Sequence, residues 1–132
     1  MTKIYLIRHA EAEGNLYRRI QGHWDGSITP LGLQQIDALA QRFRHEHIDA
    51  IYCSNLSRAR VTAEAITRYH DIPAVVTPRL TEICMGVWEG RAWGDIEHDF
   101  PEQMRYFNTD PDRWSVPGCE PIRDVQKRMK RA

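Results

Sequence analysis

Three short runs of apolar and β-branched residues, separated by stretches of helical period, most constrain what this chain can become. The first spans Lys3 to Ile7, with Ile-Tyr-Leu-Ile at its heart. Apolar residues on consecutive positions predict a strand covered on both faces. The second runs from Ile48 to Cys53. The third is Ala74 to Val76, entered through Pro73 and left through Pro78. Between the first two, Thr29-Pro30 reads as an N-cap followed by proline at the first helical position. Leu33, Ile36, Leu39, Ala40 and Phe43 follow at helical spacing and predict one apolar face. Between the second and third, Ser54 to Ser57 predict a turn. Ser57 is placed to cap a helix with Ala59, Ala63 and Ile66 as its buried stripe. Strand, helix, strand, helix, strand is an α/β pattern.

The other segments are less regular. Residues 8 to 28 are polar, hold Gly14, Gly22 and Gly26, and read mostly as loop. Residues 81 to 121 hold Pro101, Pro111, Pro117 and Pro121 with Trp88, Trp93 and Trp114, which predicts irregular chain with short helices. Ile122, Val125 and Met129 begin a last amphipathic helix. At 132 residues the chain, residues 1–132, reads as a single domain. It is long enough to bury roughly two-thirds of its unfolded surface.

Charge and cysteines exclude several functions. Lys and Arg total 18, and so do Asp and Glu, so no global field draws the chain to nucleic acid or an anionic membrane. The basic end, with Lys127, Arg128, Lys130 and Arg131, reads as a solvated helix face. Cys53, Cys84 and Cys119 are odd in number and form no CxxC pair, so neither a disulfide framework nor a zinc site is indicated. No apolar run approaches the roughly 20 residues that span a bilayer, and no signal-peptide pattern is present. The expected location is cytoplasmic.

The chemistry gathers at one strand end. In an open α/β sheet, sites lie beyond the carboxyl ends of the strands. Arg8 and His9 stand at the first such end, and Ser54 to Arg58 at the second. Arg58 lies at the expected start of a helix, whose free N–H groups favour an anion. Arginine suits phosphate because its planar fork donates to two oxygens at once. A neutral histidine beside it can attack phosphorus through one ring nitrogen while the other donates to a carbonyl. The leaving alkoxide then needs a proton from a carboxylic acid. Glu11, Glu13, Glu82 and Glu89 are the candidates, and spacing alone does not choose among them. An Arg-His pair by itself is usually a surface pair, so the wider pattern must decide.

Five segments carry that pattern. "LIRHAEAEGN" resembles the RHG-E-x-x-x-N signature of the histidine phosphatase superfamily, the phosphoglycerate mutase-like proteins. In the family's order, "SITPLGLQQIDALA", "CSNLSRARVTAEAI", "RLTEICMGVWEG" and "PGCEPIRDVQKR" are similar to its later motifs. The resemblance implies a three-layer α/β/α phosphoglycerate mutase-like fold. It implies His9 as the phosphorylated nucleophile and Arg8 and Arg58 as the phosphoryl clamp. Asn15 would help hold the group, Gln21 and Gly22 would line the substrate side, and Glu82 would be the proton donor. It also implies that neither metal nor other cofactor is required.

Ala10 stands where the family has glycine, and Cys119 and Pro121 replace a Gly and a Ser. The family's second catalytic histidine, on a later strand ending in a [ST]HG motif, has no match here. The resemblance therefore implies a domain incomplete at the C-terminus, its N-terminal two-thirds only, with a gap in the sheet and little turnover by itself. A homodimer that exchanges a strand is one way to fill such a gap. The expected function is hydrolysis of a small phosphorylated metabolite, a phosphomonoester, through phosphohistidine. The alternatives are mutase-type phosphoryl transfer and a non-catalytic phosphate-binding module. The rest of the substrate pocket is expected from Tyr17, Arg18, Trp88 and Trp93.

Overall fold

Thr29 and Pro30 start the first long helix as the sequence predicts. The Thr29 hydroxyl accepts the Gly32 N–H at 3.0 Å, satisfying one of the donors a helix start leaves open. The computed structural model describes residues 2–132. In chain order its helices are α1 (Glu13–Leu16), α2 (Pro30–Phe43), α3 (Ser57–Thr67), α4 (Trp93–Asp99), α5 (Pro101–Thr109) and α6 (Ile122–Met129). Its strands are β1 (Ile51–Cys53) and β2 (Ala74–Val76), which pair in parallel with Ile51 opposite Ala74 and Cys53 opposite Val76. The crossover between them is α3, which packs on α2.

Two apolar cores result. One lies between the sheet and α2 and α3, from Ala10, Ile36, Ala40 and Ala65 to Phe43, Ile51 and Ile66. Gly32 lets α2 approach the chain at Glu11, since a Cβ there would sit 2.2 Å from the Glu11 carbonyl oxygen. The other core is built from the irregular segment, with Ile20, Met85, Trp88, Ile96, Met104, Tyr106, Trp114 and Val116. Trp88 tilts against Trp114 at 5.5 Å and Phe107 at 5.8 Å. Such aromatic pairs contribute about 0.5–1.5 kcal/mol each beyond the area they bury.

Several sequence expectations are corrected. Residues 3–7 form no strand, since nothing among the described residues pairs with their backbone, and the side chains of Ile4 and Leu6 point to solvent. Only Tyr5 of this run packs inward, edge-on to Phe43 at 4.9 Å. A doubly apolar run needs a neighbouring strand as well as a favourable sequence. The second strand begins at Ile51, not Ile48. Ser57 is the first residue of α3 and Leu56 holds the cap position. The stripe that α3 buries is Arg58, Thr62, Ala65 and Ile66, with Ala59 and Ala63 only half-covered. Leu33 is exposed on α2. Helix α6 forms as expected but buries no residue fully. It is tied instead by Arg128, whose guanidinium bonds both oxygens of Glu120 at 2.7 and 2.8 Å and the Arg79 carbonyl at 2.9 Å.

Candidate active site

His9 ends the extended run, and its ring is oriented by its own neighbour. The Ala10 carbonyl lies 2.7 Å from Nδ1. A carbonyl only accepts, so Nδ1 carries the proton and Nε2 keeps its lone pair. Nε2 has no hydrogen-bond partner among the described residues. Ala10 is itself pinned, for its N–H donates to the Thr62 hydroxyl at 2.9 Å, and that hydroxyl donates to the Arg58 carbonyl at 2.7 Å. Burial lowers the His9 pKa, and the positive charges of Arg58 and Arg8 lower it further. Together these outweigh the hydrogen bond to Ala10 and the nearby Glu82 carboxylate, which act the other way. The neutral, nucleophilic ring is therefore favoured.

His9 opens into a cavity of about 460 Å³ that lies between the two cores. Every residue the family resemblance assigns to the site lines it: Arg8, His9, Asn15, Gln21, Gly22, Arg58 and Glu82. Of the four candidate carboxylates, Glu82 alone does so. Glu11 accepts from the Thr29 hydroxyl at 2.6 Å, and Glu13 accepts the Ser27 N–H. Glu89 accepts the N–H groups of His23, Trp24 and Met85, each at 2.9 Å. It thereby ties the loop after α1 to the second core. Of the expected substrate-side residues, Arg18 and Trp93 line the cavity. Tyr17 is exposed and does not line it, and Trp88 is fully buried in the second core.

Arg58 is the most constrained charge in the site, with 2% of its side chain exposed. One terminal nitrogen donates to the Gly22 carbonyl at 2.8 Å. The other donates to the Trp24 carbonyl at 3.1 Å and to Asp25 at 3.3 Å. Its pKa is lowered by burial, against the pull of Asp25 and Glu82, yet an arginine so shifted stays cationic at neutral pH. Part of its fork is thus spent on holding the 22–25 loop. Asp25 also accepts the Ser57 N–H at 2.5 Å, so the start of α3 is occupied by a carboxylate of the chain itself. Burial pushes Asp25 upward, but the hydrogen bonds from Ser57 and Arg58 prevail and hold it below its ordinary range.

The turn around Asn15 is close-packed. Asn15 accepts the Ala12 N–H at 3.0 Å and the Gln21 amide at 3.4 Å. Gly14 leaves room for Gln21, because a Cβ there would meet the Gln21 Cγ at 2.1 Å. Glu82 is fixed through its backbone. Its carbonyl accepts from His23 Nε2 at 2.9 Å and from Arg128 at 3.3 Å. No cluster of three metal-ligating side chains occurs among the described residues, and no helix among them is long and apolar enough to cross a membrane.

Asp25, Thr62 and the backbone ties of Glu89 and Arg128 went unread in the sequence. A weak signal existed in each case: a polar residue on a helix face or loop where an apolar one would pack as well. The model of the histidine phosphatase superfamily, branch 1, matches residues 4–132. This chain belongs to the histidine phosphatase superfamily. Among its relatives, phosphoserine phosphatase 1 of Hydrogenobacter thermophilus is 34% identical over 130 residues, covering 98% of this chain and 62% of that one. A probable phosphoglycerate mutase, GpmB, of Yersinia pestis is 33% identical over 132 residues, covering 100% of this chain and 61% of that one. The chain thus spans about six-tenths of the length of these histidine phosphatase relatives. The structure of Bacillus stearothermophilus YhfR superposes with a TM-score of 0.84 at 35% identity, over 92% of this chain and 60% of that one. A mycobacterial glucosyl-3-phosphoglycerate phosphatase superposes with a TM-score of 0.84 at 28% identity, over 93% and 61%. The fold is that of the phosphoglycerate mutase-like α/β proteins.

Proposed function

We propose that the protein hydrolyses a small phosphomonoester through a phosphohistidine formed on His9. The observation that carries this reading is the state of the His9 ring. Its Nδ1 proton is held by the Ala10 carbonyl, and its Nε2 stands unengaged in a cavity shared with Arg8, Arg58 and Glu82. The Nε2 lone pair forms the N–P bond as the ester P–O bond breaks. Arg8 and the free edge of Arg58 offset the charge on the equatorial oxygens, which is where phosphoryl transfer needs support. Glu82 gives its proton to the departing alkoxide. In the return step a water attacks phosphorus, its proton passes to the Glu82 carboxylate, and the N–P bond breaks. Two of the relatives named above are phosphatases and one is a probable mutase; the reading takes water rather than a second hydroxyl as the final acceptor. The arginines supply the positive charge, so the reading calls for no metal or other cofactor. The protein acts away from membranes, in the cytoplasm.

The test is covalent capture. The protein is incubated with acetyl phosphate, and its intact mass is measured under alkaline quench. The expected result is a gain of one phosphoryl group, labile to acid, absent from His9→Gln and retained in His23→Gln. Phosphorylation that survives His9→Gln, or none in the wild-type chain despite measurable binding of inorganic phosphate, would overturn the mechanism.

A further inference from the structure

Glu82 lines the cavity beside His9, yet it lies in neither a helix nor a strand. What fixes it is one peptide unit, the one joining Glu82 to Ile83. The N–H of that unit donates to the Glu82 carboxylate, to Oε1 at 3.0 Å. Its carbonyl accepts from His23 Nε2 at 2.9 Å and from Arg128 at 3.3 Å. A carbonyl oxygen has two lone pairs, and both are engaged, so the peptide is held against turning. Its orientation in turn sets where the carboxylate stands. With Oε1 taken by the N–H, the proton of the acid form is carried on Oε2.

The two donors are not equivalent. Arg128 is also committed to both oxygens of Glu120 and to the Arg79 carbonyl. The His23 ring has the Glu82 carbonyl as its one partner among the described residues. That ring also starts from a fixed point. The His23 N–H donates to Glu89 Oε1 at 2.9 Å, and the Met85 N–H donates to the same oxygen at 2.9 Å. Residue 23 and residues 82–85 are thereby closed into one ring of hydrogen bonds. A carbonyl only accepts, so Nε2 carries a proton, and protonation of the other ring nitrogen leaves this donor in place. His23 does not line the cavity that holds His9. It lines a separate hollow of about 480 Å³, with Asn55, Thr81, Glu120 and Arg128. It therefore reaches the reaction only through Glu82.

Resting on the phosphatase reading above, we propose that His23 is a positioning residue that aims the Glu82 acid at the leaving oxygen by holding the peptide between Glu82 and Ile83. In the step it serves, His9 Nε2 forms the N–P bond, the ester P–O bond breaks, and the Oε2 proton passes to the departing alkoxide. The contribution of His23 then scales with the leaving group's need for a proton. An alkoxide needs one to depart, whereas acetate leaves without it.

The test compares two phosphoryl donors, acetyl phosphate and glycerol phosphate, by the rate of phosphoryl gain on His9 in rapid-quench intact mass. In His23→Leu the rate from glycerol phosphate is expected to fall about tenfold or more, part of the roughly 10²–10⁴ that a positioned acid supplies. The rate from acetyl phosphate stays within about twofold of wild type. His23→Gln carries a donor at a similar reach and is expected to restore most of the glycerol phosphate rate. In a Glu82→Gln background, His23→Leu should cost nothing more, because a residue that acts through Glu82 has no separate effect. Equal losses with both donors, no loss with either, or additive losses in the double variant would each overturn the proposal. If the wild-type chain takes phosphoryl from acetyl phosphate but not from glycerol phosphate, no acid is at work, and this proposal fails while the phosphohistidine step stands. If it takes none from either, both fail together.

Discussion

Replacing Thr62 by valine tests the link between α3 and the His9 backbone. The Thr62 side chain is buried, and its hydroxyl accepts the Ala10 N–H at 2.9 Å while donating to the Arg58 carbonyl at 2.7 Å. Valine has nearly the same shape, so no cavity opens. The Arg58 carbonyl keeps the backbone hydrogen bond of the helix. The Ala10 N–H does not recover a partner, since Ala10 is 6% exposed. A buried donor left without an acceptor costs about 1–3 kcal/mol. For a domain of this size that lowers the melting temperature by roughly 3–12 °C. Because the Ala10 carbonyl orients the His9 ring, the same change is expected to weaken phosphate binding. Thermal unfolding followed by far-ultraviolet circular dichroism gives the stability, and titration with inorganic phosphate gives the binding. Thr62→Ser keeps the hydroxyl and is expected to retain most of both. If Thr62→Val melts within about 1 °C of wild type, the hydrogen bond does not hold the Ala10 backbone against α3 and the reasoning is wrong.

Two further outcomes follow from the same geometry. Gly86 has φ 57°, and a Cβ there would lie 2.2 Å from the Pro117 carbonyl oxygen and 2.6 Å from the Cys119 nitrogen. Gly86→Ala is expected to destabilise by about 3 kcal/mol or more, whereas Gly94→Ala, with nothing within 4 Å, should be neutral or stabilising on denaturant titration. Asp25 has a folded pKa below its ordinary value. Its contribution is therefore complete above the unfolded pKa, near 4, and is lost as pH falls through the lower folded value. The gap in melting temperature between wild type and Asp25→Asn should be widest near neutrality and close in acid; a gap that stays constant refutes the assignment.

Where local chemistry decides the structure, the sequence was readable. Thr29-Pro30 announced α2, and Pro73 with Pro78 bounded β2 to the residue. The seven cavity residues were legible as a set only through the family motifs, because no spacing rule joins Arg8 to Glu82 across more than seventy positions. What periodicity missed has one physical origin. Apolar patterns report faces that pack, and they pass over polar side chains that pack by hydrogen bonding. Hence Arg58 and Thr62 were absent from the expected stripe of α3, and Asp25 from the site. The run at residues 3–7 shows the converse: Ile4 and Leu6 have strand-like character, but a ladder also needs a partner backbone, which composition does not report.

The two separate cores also set what light can report about this molecule. Trp88, Trp93 and Trp114 all sit in or against the core built from residues 81 to 121, and none packs with α2 or β1. The indole N–H groups of Trp88 and Trp114 have no acceptor among the described residues, so their emission should be strongly blue-shifted until that half of the protein opens. Of the four tryptophans only Trp24, in the 22–25 loop that Arg58 holds, lies on the side of His9, so emission reports chiefly on the other half. A melt recorded by emission alone would then register loosening around His9 only through Trp24.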